Sequence, residues 1–411
     1  MRPLIQFGLL STMGLLGACF GGNGTTAATD IKTAPVLNTL ALSVDSGPAG
    51  ASGAINHAYV SLKICVPGSQ TQCANIDHVL LDTGSTGLRL VRSVLAAQSI
   101  ALSLETDPQG QGIEECVSFG GGQTWGPVEV ADVSMAGETA ANLPLQIMDD
   151  TLAGAPPPPT CGANGTLIDG VSGFNANGVL GVGVFAQDCG DMCVNAGAPL
   201  PVYYGCTNAG VCTAENIALT AQVTNPVALF AADNNGIVIR LPNLQNANGD
   251  ASVTGELIFG INTQSDNALP ATGLTVLGAD MHGDFTATYN GNTLVLPALL
   301  DSGTDSYAFD DPTIAVCASG AFVGYYCPAV APQSVYVISS GVGVNNASST
   351  VNFAIADPNT FVANAAAFAD LAGGGGSSNF TFGMPFFYGR TIYVGIDQRV
   401  AGIYTGPFYA Y

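Results

Sequence analysis

Two short loops constrain this chain more than any other part of it. The apolar run from Val79 to Leu81 leads into Asp82-Thr83-Gly84-Ser85, and 219 positions later (301 minus 82) the run from Leu296 to Leu300 leads into Asp301-Ser302-Gly303-Thr304. Each reads as a buried strand that delivers a carboxylate into a tight turn. A carboxylate so placed needs partners, because an isolated buried charge is costly and otherwise stays protonated. The hydroxyls of Thr83, Ser85, Ser302 and Thr304 can supply them, and Gly84 and Gly303 permit a close turn. One such loop alone reads as an ordinary Asp-Gly turn between strands. Two of the same construction, each entered by an apolar strand, point to a shared chemical purpose.

A length of 411 residues allows two sizeable cores, so two lobes are expected. Charged residues are only 9% and glycines number 53, while apolar residues are spread along the chain. No second apolar stretch reaches membrane-spanning length, which fits a strand-rich globular protein. Thirty acids against 8 bases give a net charge of −22, which argues against nucleic acid or an anionic membrane surface as a direct partner. The acidic balance reads as solvation outside the cytoplasm.

The N-terminus supports that address. Arg2 precedes an apolar segment from about Leu4 to Leu16, and Leu16-Gly17-Ala18-Cys19 has the form of a bacterial lipobox. Residues 1–18 thus read as a lipoprotein signal peptide and Cys19 as the lipidated first residue, with ordinary signal cleavage as the alternative. Removing Cys19 from the 11 cysteines leaves an even number, which suits an oxidising compartment. Cys65 with Cys73, Cys206 with Cys212 and Cys317 with Cys327 are spaced for short closed loops, although the pairing is not decidable from sequence. His57, His78 and His282 stand at no ligand spacing from a cysteine pair, so no metal site is expected. The reading is an exported protein, periplasmic or at the outer membrane or cell surface, that touches membrane only through its lipid anchor. Gly/Thr/Ala-rich residues 19–53 read as a tether.

The alternation of Ala58–Val66 predicts a strand, and the runs around Gly120, Gly121 and Gly122 predict a hairpin from Cys116 to Val130 with a flexible tip. Asn177 to Gly183 is apolar and glycine-punctuated; it lacks the lysine of a phosphate loop, so its glycines read as close packing under another loop. Residues 189–215 are a cysteine-rich excursion. Further strands are expected at 236–241, 255–260, 284–289, 293–300 and 380–397. Residues 360–371 are the best helix candidate.

The order of these landmarks resembles the pepsin-like aspartic peptidases across nearly all of the chain after residue 53, and also a group of proteobacterial lipoproteins. In that family an apolar-apolar-Gly segment packs beneath each Asp loop. Val179-Leu180-Gly181 lies 97 residues after Asp82 (179 minus 82), and Thr381-Phe382-Gly383 lies 80 after Asp301 (381 minus 301). The resemblance implies an all-β bilobal fold, with β-barrel-like lobes at 54–270 and 271–411 around an interlobe cleft. It implies Asp82 and Asp301 as a catalytic dyad sharing a proton and a water, with no cofactor. Thr83 and Ser302 would brace the loops, and Ser85 and Thr304 would bond the outer carboxylate oxygens. Phe119 with Gly120, Gly121 and Gly122 would form a substrate-covering flap, with Trp125 across it. The implied ligand is a peptide or protein substrate, and the chain is expected to be a monomer.

Three positions depart from the family pattern. Phe119 stands where a tyrosine is usual, Arg89 where a tryptophan is usual, and Asp305 adds a third carboxylate next to the second loop. The expected activity is an aspartic endopeptidase working at acid pH on extended peptides; the alternative is a non-catalytic binding or inhibitor protein on the same fold. A serine hydrolase is disfavoured by the lack of a Gly-x-Ser-x-Gly elbow. Mass spectrometry of the exported protein should find a lipid on an N-terminal Cys19 and no free thiol; an unmodified terminus elsewhere would remove the anchor.

Overall fold

The computed structural model describes residues 38–411 apart from 52, 162–165, 196–200, 291–293 and 376–377. The signal peptide, Cys19 and the first part of the tether lie outside the described residues. The chain is all-β and bilobal, with a strand arrangement in each lobe and a sheet region between them.

In the first lobe, strands Gly122–Met135, Glu138–Met148, Thr86–Val91, Gly178–Val182, Cys73–Asp82 and Ala58–Cys65 lie side by side in that order. The last returns to pair with the first through Ile64 and Val133, so the sheet closes into a barrel. Closure follows from alternation: Leu62, Ile64, Val133 and Leu145 point inward and are buried. In the second lobe, strands Phe285–Tyr289, Leu296–Leu300, Phe380–Phe382 and Gln333–Ser340 belong to a seven-stranded sheet among the described residues. Its interior is filled by Phe285, Phe309, Phe380 and Phe382, whose rings pack at 4.8–5.6 Å.

A third sheet region joins the lobes, where Val253–Phe259 and Gly236–Arg240 continue through Thr391–Gly395 and Phe408–Ala410 to Val276–Gly278. Strand Thr39–Val44 pairs with Val253–Phe259 over six residues. These residues were read from the sequence as tether. Their alternation, with Leu42 and Val44 buried, is short and lies in polar surroundings, so only the sheet partner more than 200 residues away reveals it. Nor is the expected helix at 360–371 formed. A 3-10 turn, Pro358–Thr360, capped by the Asp357 side chain, is followed by an irregular run in which the backbones of Ala366 and Ala367 bond Asp250. Phe361 and Phe368 stack at 4.2 Å, and that packing overrides the helix propensity of the alanines.

The arrangement around each Asp loop is the same. Strand Cys73–Asp82 runs parallel to Gly178–Val182, which runs antiparallel to Thr86–Val91 on its other side. Likewise Leu296–Leu300 runs parallel to Phe380–Phe382, which meets Ala308 antiparallel on its other side. The Asp loop thus arches over the inserted strand, and apolar residues of both strands anchor it: Leu81 and Leu300 before the loops and Leu180 and Phe382 beneath them are fully buried. Such a side chain contributes about 2 kcal/mol by burial.

The described cysteines form five disulfides, Cys65–Cys73, Cys116–Cys161, Cys189–Cys193, Cys206–Cys212 and Cys317–Cys327. They fit an oxidising compartment. No described helix is long and apolar enough to cross a membrane.

Space under the loops is the tightest constraint. A Cβ at Gly181 would lie 2.7 Å from the backbone of Thr86, and one at Gly383 would lie 2.0 Å from the Ser306 carbonyl oxygen. Gly181→Ala should lower the unfolding free energy by roughly 2–3 kcal/mol. Urea unfolding checks this; an unchanged midpoint would show that the loop has room to move.

Candidate active site

The two Asp loops meet at the centre of the molecule and are tied by reciprocal bonds. The Thr83 hydroxyl donates to the Leu300 carbonyl at 2.7 Å and accepts from the Ser302 backbone N–H at 2.9 Å. The Ser302 hydroxyl donates to the Leu81 carbonyl at 2.7 Å and accepts from the Thr83 N–H at 3.1 Å. Each hydroxyl therefore satisfies the last strand carbonyl and the first loop N–H of the opposite lobe. No other residue type offers a donor and an acceptor in so small a volume.

This lock faces the carboxylates toward each other. Asp82 Oδ1 accepts from the Gly84 N–H at 2.8 Å and Oδ2 from the Ser85 hydroxyl at 2.5 Å. Asp301 Oδ1 accepts from the Gly303 N–H at 2.8 Å and Oδ2 from the Thr304 hydroxyl at 2.7 Å. A Cβ on Gly84 would sit 2.5 Å from the Asp301 carboxyl carbon, and one on Gly303 would sit 2.7 Å from Asp82 Oδ1. Each loop glycine is thus the floor on which the opposite carboxylate rests. Asp82 is 6% exposed. Burial, with the Asp301 charge beside it, pushes the Asp82 carboxyl up to about 7.

The hairpin joins strand Gly112–Phe119 to Gly122–Met135, with Gly120 and Gly121 exposed at its tip. Phe119 is half-buried, edge-on to Phe174 at 5.0 Å, and its ring lies 5.6 Å from the Arg89 guanidinium carbon. Gly122 serves packing: a Cβ there would meet the Thr166 carbonyl oxygen at 2.3 Å. Trp125, read with the flap from sequence, is instead 1% exposed. It lies opposite Cys116 in the hairpin register, rests edge-on against Tyr204 at 5.4 Å, and its indole N–H donates to the Ala155 carbonyl at 2.7 Å. Strand alternation turns the ring into this cysteine-rich core, so it offers a substrate no surface.

Arg89 anchors a cluster that the sequence did not disclose. Its guanidinium, 1% exposed, donates to the Thr86 carbonyl at 2.8 Å, Glu115 at 2.7 Å and Asp188 at 3.2 Å. Tyr203 donates to Asp188 at 2.6 Å. One cation thus fastens the end of the Asp82 loop, the hairpin strand and the approach to the cysteine-rich excursion. Burial outweighs the Arg89 charge and holds the Glu115 carboxyl well above the usual range. The available signal was a charge inside each of two apolar strands, Leu88-Arg89-Leu90 and Ile113-Glu114-Glu115-Cys116, which demands a partner without saying which.

Asp305 is half-buried, and the Tyr325 hydroxyl donates to its Oδ2. Among the described residues one group of metal-ligand types gathers, Cys317, Cys327 and Asp357, but its sulfurs are joined in a disulfide and offer no thiolate.

A protein-family model described as protein of unknown function (DUF3443) matches residues 34–411. Among solved structures, that of an aspartic proteinase from Irpex lacteus aligns at 14% identity with a TM-score of 0.48, covering 90% of this chain and 96% of that one. No curated protein matches.

The buried acids set a pH dependence. Burial, foremost, raises Asp82 to about 7, Glu114 to about 8 and Asp169 to about 6, and raises Glu115 as well. Asp149 runs the other way: bonds from Gly154, Thr151 and Ala153 and the Arg92 charge hold it low despite burial. A carboxyl held up in the folded state keeps its proton where the unfolded chain has released it, so stability falls as pH rises from roughly 4. Every tenfold difference in proton affinity between the two states is worth about 1.4 kcal/mol. The loss is complete near the folded values, about 8 for Glu114. The melting temperature should therefore drop by several degrees between pH 5 and pH 8. A flat or rising profile would contradict the assignment.

Proposed function

The chain belongs to the family described as protein of unknown function (DUF3443), and we propose that it is an aspartic endopeptidase that hydrolyses extended peptides at acid pH with Asp82 and Asp301. The observation that carries this reading is the face-to-face pair itself, with each carboxylate resting on the other loop's glycine and braced by its own hydroxyl. With one proton shared, the ionised member takes a proton from a water while the protonated member donates to the peptide carbonyl oxygen. The raised Asp82 carboxyl makes it the natural holder of that proton. Water attacks the carbonyl carbon and the tetrahedral diol is held between the two carboxyls; as the C–N bond breaks, the proton taken from water passes to the departing amine and a diol hydroxyl returns its proton to the other carboxylate. No covalent intermediate is required.

The remaining residues take supporting roles. Thr83 and Ser302 fix the separation of the two acids, and Phe119 with the exposed Gly120 and Gly121 covers a bound peptide. The protein works as an exported lipoprotein anchored through Cys19, as a monomer. A second reading, a non-catalytic peptide-binding or inhibitor protein, is favoured by one feature: Phe119 has no hydroxyl with which to bond the substrate backbone.

Cleavage of an acid-unfolded protein should be strongest below about pH 5 and fade toward neutrality, where both acids ionise. Asp82→Asn and Asp301→Asn should each lower the rate by about a thousandfold or more, because the pair acts as a unit, while the fold survives. Product formation by mass spectrometry, with Asp82→Asn as the blank, decides the matter. Equal products from wild type and blank would leave the binding protein as the better account.

A further inference from the structure

Beside the dyad stands a carboxylate that the proposed chemistry does not use. Asp305 directly follows Thr304, whose hydroxyl holds Asp301, so its backbone is fixed by the catalytic loop. From the other side its carbonyl accepts from Asn56 Nδ2 at 2.7 Å. Asn56 is fully buried and is itself fastened to the Phe368 backbone by bonds of 2.9 and 2.7 Å and to the Tyr388 hydroxyl at 2.8 Å. Three remote segments therefore converge on this position and hold it still.

The side chain is only partly satisfied. Tyr325 donates to Oδ2, whereas Oδ1 accepts from no described residue, and no described cation pairs with Asp305. From Tyr325 an aromatic row leads away. Tyr325 lies edge-on to Phe322 at 5.8 Å, Phe322 edge-on to Phe361 at 5.8 Å, and Phe361 stacks on Phe368 at 4.2 Å. Phe322, Tyr325 and Phe361 are all partly exposed. A fixed carboxylate with an open oxygen, at the end of an aromatic row, matches a cation on an aliphatic stem. The stem packs on the rings, the rings attract the charge, and the head meets the carboxylate.

We propose that Asp305, positioned by Tyr325 at the end of an aromatic row that runs on through Phe322 to Phe361, forms a subsite for a lysine or arginine side chain of a peptide lying across the dyad. This rests on the reading that a peptide occupies the cleft, but not on its being cleaved. The net charge of −22 works in the same direction, since it draws cationic chains toward the protein.

The test uses binding to the Asp82→Asn protein, which the proposed chemistry makes inactive, so its outcome is separate from that of the cleavage assay. Ten-residue peptides that differ only in carrying lysine or norleucine are compared by calorimetry at pH 5.5, with the variable position walked along the chain. At one position lysine should bind roughly five- to tenfold more tightly, the range of a partly exposed ion pair with a cation–aromatic contact. In Asp82→Asn/Asp305→Asn the preference should vanish, and high salt should shrink it in the parent. Tyr325→Phe keeps the carboxylate and should retain a reduced preference, which separates loss of charge from loss of fold. Equal affinities at every position, including a failure of both peptides to bind, or a lysine preference that survives Asp305→Asn, would overturn the proposal.

Discussion

Everything in the site depends on four hydrogen bonds that two hydroxyls exchange across the molecule. Thr83 and Ser302 each reach into the opposite loop and take up one carbonyl and one N–H there. Without them, the ends of two buried strands would leave four unsatisfied backbone groups in the centre, each costing about 1–3 kcal/mol. The bonds also set the separation of the acids, since the carboxylates are one residue away on the same turns. Stability and chemistry are therefore linked at this point: whatever loosens the lock also displaces the dyad.

The two loops were legible in the sequence because their requirements are local. A buried carboxylate, a hydroxyl one residue on and a glycine with no room for a Cβ all fall within four positions, and the apolar strands around them show the expected buried runs. The segments Val179-Leu180-Gly181 and Thr381-Phe382-Gly383 were legible for the same reason, and they occupy the inserted strands. Long-range partners were not. Strand Thr39–Val44 looks like linker until Val253–Phe259 is placed beside it, Trp125 looks like a cleft residue until the strand register turns it inward, and the alanines at 363–369 look helical until Phe361 and Phe368 stack.

Arg89 shows how a cation inside an apolar strand is absorbed. A cation buried beside the Asp82 loop would be prohibitive alone, and a single carboxylate partner would neutralise it. This chain supplies two, Glu115 and Asp188, and burial with the Asp188 charge holds the Glu115 carboxyl well above the usual range despite the Arg89 charge.

The disulfides divide the molecule in another way. Four of the five close rings spanning 4 to 10 positions, and the fifth, Cys116–Cys161, spans 45. None bridges the Asp82 loop to the Asp301 loop. Covalent reinforcement lies elsewhere: at the turn between Ala58–Cys65 and Cys73–Asp82, the hairpin strand, the cysteine-rich excursion and the loop behind Tyr325. The floor of the cleft is closed by hydrogen bonds and sheet pairing alone. A change of redox environment would therefore act on these turns and loops, and leave the distance between the two acids to be set by the interior.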